Sequence, residues 1–347
     1  MCIARRLLWA APVVTTLALL AACAPAPAQI VLSGPTMGTT WNLRVAPGAQ
    51  DIDAGAVRQI VDSALAEVDA AMSTYRPDSA VSRFNSSDSS DWFAVPAMLA
   101  GLVAEALVIG ETSGGAFDVT VAPVVTLWGF GTGTPREAPP TDEEVARTLS
   151  LTGQRYLAAR LDPPGLRKDL PGLTLDLDAI APGHAVDLIA GRLEADGISN
   201  YMIEVGGEVR VHGRNADGQP WRIGIERPDE RGRTVARVLH LEAMAVSTSG
   251  DYRDFFEADG RRYSHTLDPR TGRPVTHTLA SVTILRPTAA EADGLATALT
   301  VLGPEAGFEL AENRGWAALF VQRTVSGFSQ RQTTAFARAA EARESRP

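Results

Sequence analysis

The chain has 347 residues and a formal net charge of −9, enough length for a large core and no basic stripe of the kind a nucleic-acid partner requires. Lys168 is the only lysine, so a phosphate-gripping lysine is excluded unless Lys168 itself lies in the site. Cys2 and Cys23 are the only cysteines, and removal of a leader leaves one, which rules out an internal disulfide.

Arg5 and Arg6 precede an apolar run over residues 7–22 that ends in small residues. This is the pattern of a signal peptide over 1–22, too short to cross a membrane as a helix. Leu20-Ala21-Ala22-Cys23 resembles a lipobox, with Cys23 as the lipidated first residue of the mature chain; a plain signal peptide is the alternative. Residues 23–29, rich in Ala-Pro, read as a short extended tether.

Residues 30–45 alternate apolar and polar around Met37-Gly38-Thr39, as an opening strand with a turn does. Residues 51–72 carry apolar side chains at helical spacing. Residues 84–91 read as a polar loop, 97–112 as a second helix stopped by Gly114-Gly115, 128–140 as a loop, and 142–149 as a short acidic helix. A strand over 173–177 and a helix over 183–196 follow, then strand-like stretches at 201–211, 221–226 and 235–247. The remainder reads as a loop at 263–277, a strand at 280–285, a helix at 289–302, a strand at 316–321 and a frayed tail over 331–347. Strands far apart with interspersed helices, lacking βαβ alternation, indicate an α+β fold: antiparallel or mixed sheets flanked by helices, one catalytic unit over 30–330.

Three stretches carry the chemistry. Gly114-Gly115-Ala116-Phe117-Asp118 is either a helix stop or a ligand loop, with freed amides near a ligand and Asp118 accepting a hydrogen bond from it. Asp176 and Asp178 alternate on the expected strand and share a face, which must be wet or cation-bound because the carboxylates repel. Gly183 then precedes a helix whose amides suit a phosphate, and His184 faces either ligand or solvent. Asp293 and Thr297, four apart on one helix face, are hard oxygen donors suited to Mg²⁺, or simply a polar surface. His265, in the turn-dense loop 264–274, is the histidine best set to act as a base. No zinc spacing, nucleophile elbow or Walker sequence occurs.

Taken in order, Met37-Gly38-Thr39, Ser73-Thr74-Tyr75-Arg76, residues 114–118, 176–183, Gly206-Gly207-Glu208, 247–252, 265–272 and 291–297 resemble the FAD:protein FMN transferases, the ApbE-type flavin transferases. The resemblance spans residues 30–302 and implies a T-fold-like α+β unit. It implies Mg²⁺-dependent transfer of FMN from FAD to a threonine of a partner protein through a phosphoester, with release of AMP. It implies metal ligation by Asp293, Thr297 and the backbone carbonyl of Ala179, with FAD contacts at Met37, Tyr75, Ala116, Phe117, Asp118, Asp176 and Leu267. His265 falls where the family has its candidate catalytic base, and Asp293 is implied as catalytic too. The implied acceptor is a subunit of a membrane redox complex, and the implied location is the periplasmic side of the cell envelope, anchored at Cys23 in either membrane.

Pro182 stands where such proteins commonly have lysine, Asp178-Ala179 where Gly-Gly is usual, and Glu204 and Glu208 where Asn and Asp are common. Two other readings remain at this point: an Mg²⁺-dependent FAD pyrophosphatase giving FMN and AMP, and a non-catalytic flavin-binding or structural lipoprotein.

Overall fold

A computed structural model describes residues 29–48, 52–131, 134–136, 138–229, 234–250, 255–258 and 260–341. The leader, Cys23 and the tether up to residue 28 lie outside these residues. At the centre is an eight-stranded sheet: β1 (Ile30–Thr36), β2 (Thr39–Val45), β3 (Tyr201–Val205), β4 (Glu208–His212), β5 (Ala243–Gly250), β6 (Leu279–Arg286), β7 (Ala317–Thr324) and β8 (Gly327–Gln332). The strands lie side by side in chain order, and every neighbouring pair is antiparallel.

Successive residues of a strand face opposite sides, and the sequence uses both. Leu43, Ile203, Ala245, Ile284 and Phe320 face a helical layer. Val211, Val246, Leu285 and Leu319 face the hairpin Trp221–Glu226 and Val235–Leu241 on the other side. Covered on both faces, β6 is buried from Leu279 to Leu285, which accounts for its unbroken apolar run.

The helical layer comprises α1 (Ala54–Met72), α2 (Ala97–Thr112), α3 (Ala181–Ala195) and α4 (Ala289–Asn313). α1 buries Val57, Val61, Ala64, Leu65, Val68 and Met72, the apolar stripe that its spacing predicts. Asp53 caps it, accepting from the Gly55 and Ala56 amides at 3.1 Å each; loss of such a cap costs about 1 kcal/mol. α4 runs past the expected end at residue 302. Gly303 breaks it at φ 85° and Pro304 restarts it, a role suited to a first-turn proline.

Several elements differ from the sequence expectations. The polar stretch at 84–91 begins inside a short helix, Ala80–Asn85, capped by Ser79. The loop at 263–277 holds a small hairpin pairing Leu267 with Pro274, and a three-stranded sheet joins Phe93–Ala94, Pro164–Lys168 and Leu157–Leu161. Within the expected tail, residues 334–341 form a helix, Thr334–Glu341, because Phe336 fills the core under the second face of the sheet; residues 342–347 lie outside the described residues.

The segment 173–177 is not a strand. Leu173, Leu175 and Leu177 are buried in alternation, but no neighbouring strand pairs with them. The Asn85 side chain replaces a strand partner, donating to the Leu175 carbonyl at 2.9 Å and accepting its amide at 2.8 Å. The Asp176 amide goes to the Val119 carbonyl at 2.8 Å. Lys168 is 2 % exposed, and its Nζ donates to the carbonyls of Phe84, Asn85 and Leu173 at 3.0, 3.2 and 2.9 Å. Burial lowers its pKa. The single lysine of the chain is therefore a brace beneath the site rather than a ligand in it.

Candidate active site

Where the sheet, α4 and the loops around residues 116–131, 176–179 and 264–269 converge, they enclose a cavity of about 710 Å³. Tyr75, Ala116, Phe117, Asp118, Asp176, Ala179, His265, Leu267, Asp293 and Thr297 all line it. Met37 lines an adjoining cavity of about 640 Å³, to which Tyr75 and Asp178 also contribute. The residues expected to hold FAD or metal and the expected base thus line two adjoining cavities, which share Tyr75 and Asp178, whereas Gly183 and His184 line neither.

Each wall is set by local chemistry. After α2, the Gly114 amide bonds the Glu111 carbonyl and the Gly115 amide the Gly110 carbonyl, at 3.1 and 2.8 Å. Both glycines have positive φ, the closing motif that only glycine adopts without penalty. The stretch is a helix stop, and Ala116, Phe117 and Asp118, which follow the two glycines, line the cavity. Asp118 is spent on architecture: it accepts from the Thr120 amide and hydroxyl at 2.8 and 2.7 Å and from the Gln154 amide at 3.0 Å.

The His265 loop is pinned by Asp268, whose carbonyl accepts the Thr271 and Gly272 amides and whose carboxylate pairs with Arg270 at 2.8 Å. Trp128 donates from Nε1 to the Gly272 carbonyl at 2.8 Å. His265 presents its ring edge-on to Phe130, with centroids 6.3 Å apart. At the opposite rim, Met37 and Gly38 form the two-residue turn between β1 and β2, with φ of 46° and 68°.

The carboxylates give the cavity its electrostatic character. Asp293 is 7 % exposed and accepts the Gly183 amide at 3.1 Å. Burial, then Glu208 and Asp178, hold its pKa well above the usual carboxylate range, against the pull of that hydrogen bond. Glu208 is pushed up to about 7 by burial and Glu204, and Asp178 to about 7 by burial and Asp176. Asp176 is raised by burial as well. No lysine or arginine is among the described residues lining this cavity.

Carboxylates that force protons onto one another in a dry site are suited to a cation. Among the described residues no three His, Cys, Asp or Glu side chains form a metal cage. A site built from the Asp293 carboxylate, the Thr297 hydroxyl and the Ala179 carbonyl is mixed and incomplete, as Mg²⁺ prefers when phosphate oxygens and waters supply the rest.

Pro182 lines the second cavity together with Arg76. Arg76 does not replace the missing lysine as a free cation, because its guanidinium is held by Asp69 and Asp78, each at 2.9 Å. His184 lines neither cavity, and its buried Nε2 has no hydrogen-bond partner. The structure adds Glu208, Thr248, Ser249 and Phe130 to the walls. Glu208 was marked in the sequence by its place after two glycines and as standing where Asp is common, and Phe130 only by lying in the loop 128–140.

The sequence model of the ApbE family matches residues 37–320, which takes in every residue lining the two cavities. The chain belongs to the ApbE family. It is 44 % identical over 321 residues to the FAD:protein FMN transferase of Vibrio cholerae, covering 92 % of this chain and 96 % of that one. It is 39 % identical to the Escherichia coli K12 protein of the same name, over 86 % of this chain and 85 % of that one. Among solved structures, the flavin transferase ApbE from Vibrio cholerae superposes with a TM-score of 0.83 at 43 % identity, covering 89 % of this chain and 98 % of its own. The apo form of the Pseudomonas stutzeri flavinyl transferase ApbE gives the same TM-score and identity, with coverage of 90 % and 97 %. These neighbours share the α+β architecture of this ApbE-family chain.

Proposed function

We propose that this chain is an Mg²⁺-dependent transferase that moves FMN from FAD to a threonine of a partner protein and releases AMP. The observation that carries the reading is the carboxylate-walled cavity, lined by His265, Asp293 and Thr297 together in a member of this family. In the reaction, the threonine Oγ bonds to the FMN-side phosphorus. The bond from that phosphorus to the bridging oxygen breaks, and AMP leaves with the electron pair. His265 accepts the hydroxyl proton, a contribution typically worth about 10²–10⁴ in rate. Asp293, Thr297 and the Ala179 carbonyl would hold Mg²⁺, whose chemistry there would be charge neutralisation of the phosphates. The glycine loop at 114–118 lets backbone approach the ligand closely, and Tyr75, 66 % exposed at the junction of the two cavities, offers an aromatic face to the flavin. On the same reading Cys23 is the lipid anchor on the periplasmic side, and the acceptor is a subunit of a membrane redox complex.

The test is incubation with FAD and Mg²⁺, with and without a threonine-bearing acceptor domain, following AMP and acceptor mass. AMP together with an acceptor gain of one FMN, both abolished by EDTA, supports the transferase. AMP with free FMN and an unlabelled acceptor replaces it with the pyrophosphatase, and bound FAD without AMP replaces it with a carrier.

A further inference from the structure

We propose that Asp187, which lines neither cavity, is a positioning residue that sets the separation of the metal donors; the inference rests on the Mg²⁺ reading above. α3 and α4 meet at their first turns, where helix amides lack intrahelical acceptors. Neither helix caps itself: Ile180 and Thr288, at the two cap positions, make no side-chain cap hydrogen bond. The caps are exchanged instead. Asp187 of α3 accepts the Ala289 and Ala290 amides of α4, at 2.9 Å each. Asp293 of α4 accepts the Gly183 amide of α3 at 3.1 Å.

This crossed arrangement requires close contact. A Cβ on Gly183 would lie 2.4 Å from the Ala289 carbonyl oxygen, so only glycine permits the two turns to approach. Asp187 is in turn held by Arg210 of β4 at 2.7 Å. Arg210 also pairs with Glu194 at 3.3 Å, and the Tyr201 hydroxyl donates to that same carboxylate. A brace of alternating charge thus runs from the sheet, two residues past Glu208, into the first turn of α4.

The proposed donors sit on opposite sides of this junction. Ala179 lies one residue before the Ile180 cap of α3, whereas Asp293 and Thr297 lie in the early turns of α4. Sliding one helix against the other changes the distance between them. Two carboxylates oppose that sliding, and one of them, Asp293, is itself a proposed metal ligand. Asp187 is the tie that leaves Asp293 free to turn toward a metal.

The test compares the parent with Asp187→Asn and Asp187→Ala by three readouts: Mg²⁺ binding by calorimetry with FAD present, Mg²⁺-dependent AMP release, and thermal melting. Removal of a group that orients a metal ligand typically lowers metal affinity about 10–100-fold. Asp187→Ala should fall in that range and Asp187→Asn, which keeps one acceptor oxygen, should fall less. AMP release at saturating Mg²⁺ should recover most of the parental rate in both. Parental Mg²⁺ affinity in variants that merely melt lower would make Asp187 a structural cap and overturn the inference. Should Asp187→Ala not fold, the Asn variant alone decides on the same readouts. A parent without Mg²⁺ binding or AMP release overturns the transferase reading and this inference together, whereas an active parent with unaffected variants overturns only the inference.

Discussion

Replacing Lys168 by methionine tests whether the chain's one lysine serves the fold or the ligand. Methionine keeps the stem and removes the ammonium from a site with 2 % exposure. Three carbonyls then lose a charged donor. That of Phe84 retains the Ser87 amide at 3.2 Å, which leaves those of Asn85 and Leu173 as the exposed losses. A buried acceptor left without its donor costs about 1–3 kcal/mol, so the two together cost roughly 2–6. Relief from burying an ammonium offsets part of this, and the net destabilisation is on the order of 2–4 kcal/mol. Because Asn85 and Leu173 bracket the backbone that presents Asp176, flavin affinity should fall along with stability. Denaturant unfolding gives the first quantity and FAD fluorescence titration the second. Loss of FAD affinity with parental stability would mean that the ammonium reaches the ligand, and the brace would be refuted.

Three other outcomes follow from the geometry. His265→Ala should bind FAD as the parent does but transfer FMN about 10²–10⁴ more slowly; a parental transfer rate removes it as the base. Met37 occupies the first position of a turn with φ 46°, where Asn is preferred. Met37→Asn should therefore raise stability by about 1 kcal/mol while weakening FAD binding, since the thioether leaves the second cavity; a drop in melting temperature would show that its packing outweighs its backbone strain. In metal-free protein, Asp178 and Glu208 titrate near 7 when folded, against 3.8 and 4.5 for the free groups. A raised folded pKa contributes stability that is full below the unfolded value and is lost as pH rises through the folded one. Melting temperature without metal should fall from pH 5 to 8 and recover with Mg²⁺ at pH 8; a flat metal-free profile contradicts the raised values that burial, then Asp176 and Glu204, give these carboxylates.

The long helices were legible because their signal is local: the apolar stripe from Val57 to Met72 is written in consecutive turns. Asp293 and Thr297 were legible for the same reason, being one turn apart. The segment at 173–177 was misleading because its alternation is real, but its partner is a side chain 90 residues away. The helix Ala80–Asn85 is too short for periodicity to reveal, and the helix Thr334–Glu341 depends on the hole that Phe336 fills. Nothing in the spacing of Asp187 marks it, since its partners on α4 begin 102 residues later. The convergence of Met37, Asp118, Glu208 and Thr297 on the two adjoining cavities is likewise a property of the sheet order, and only the family resemblance hinted at it.

The sheet is a simple meander in space but not in the chain. Asn42 of β2 meets Glu204 of β3 across 162 residues, with α1, α2 and α3 formed in between. Closing so long a loop must precede the contacts that reward it, which slows the search for the native state. The cleft draws walls from both sides of that closure, so it does not exist until the search is nearly over. FAD can therefore hold the finished protein together without helping to build it: added during refolding, it should leave the folding rate alone and lengthen the lifetime of the native state.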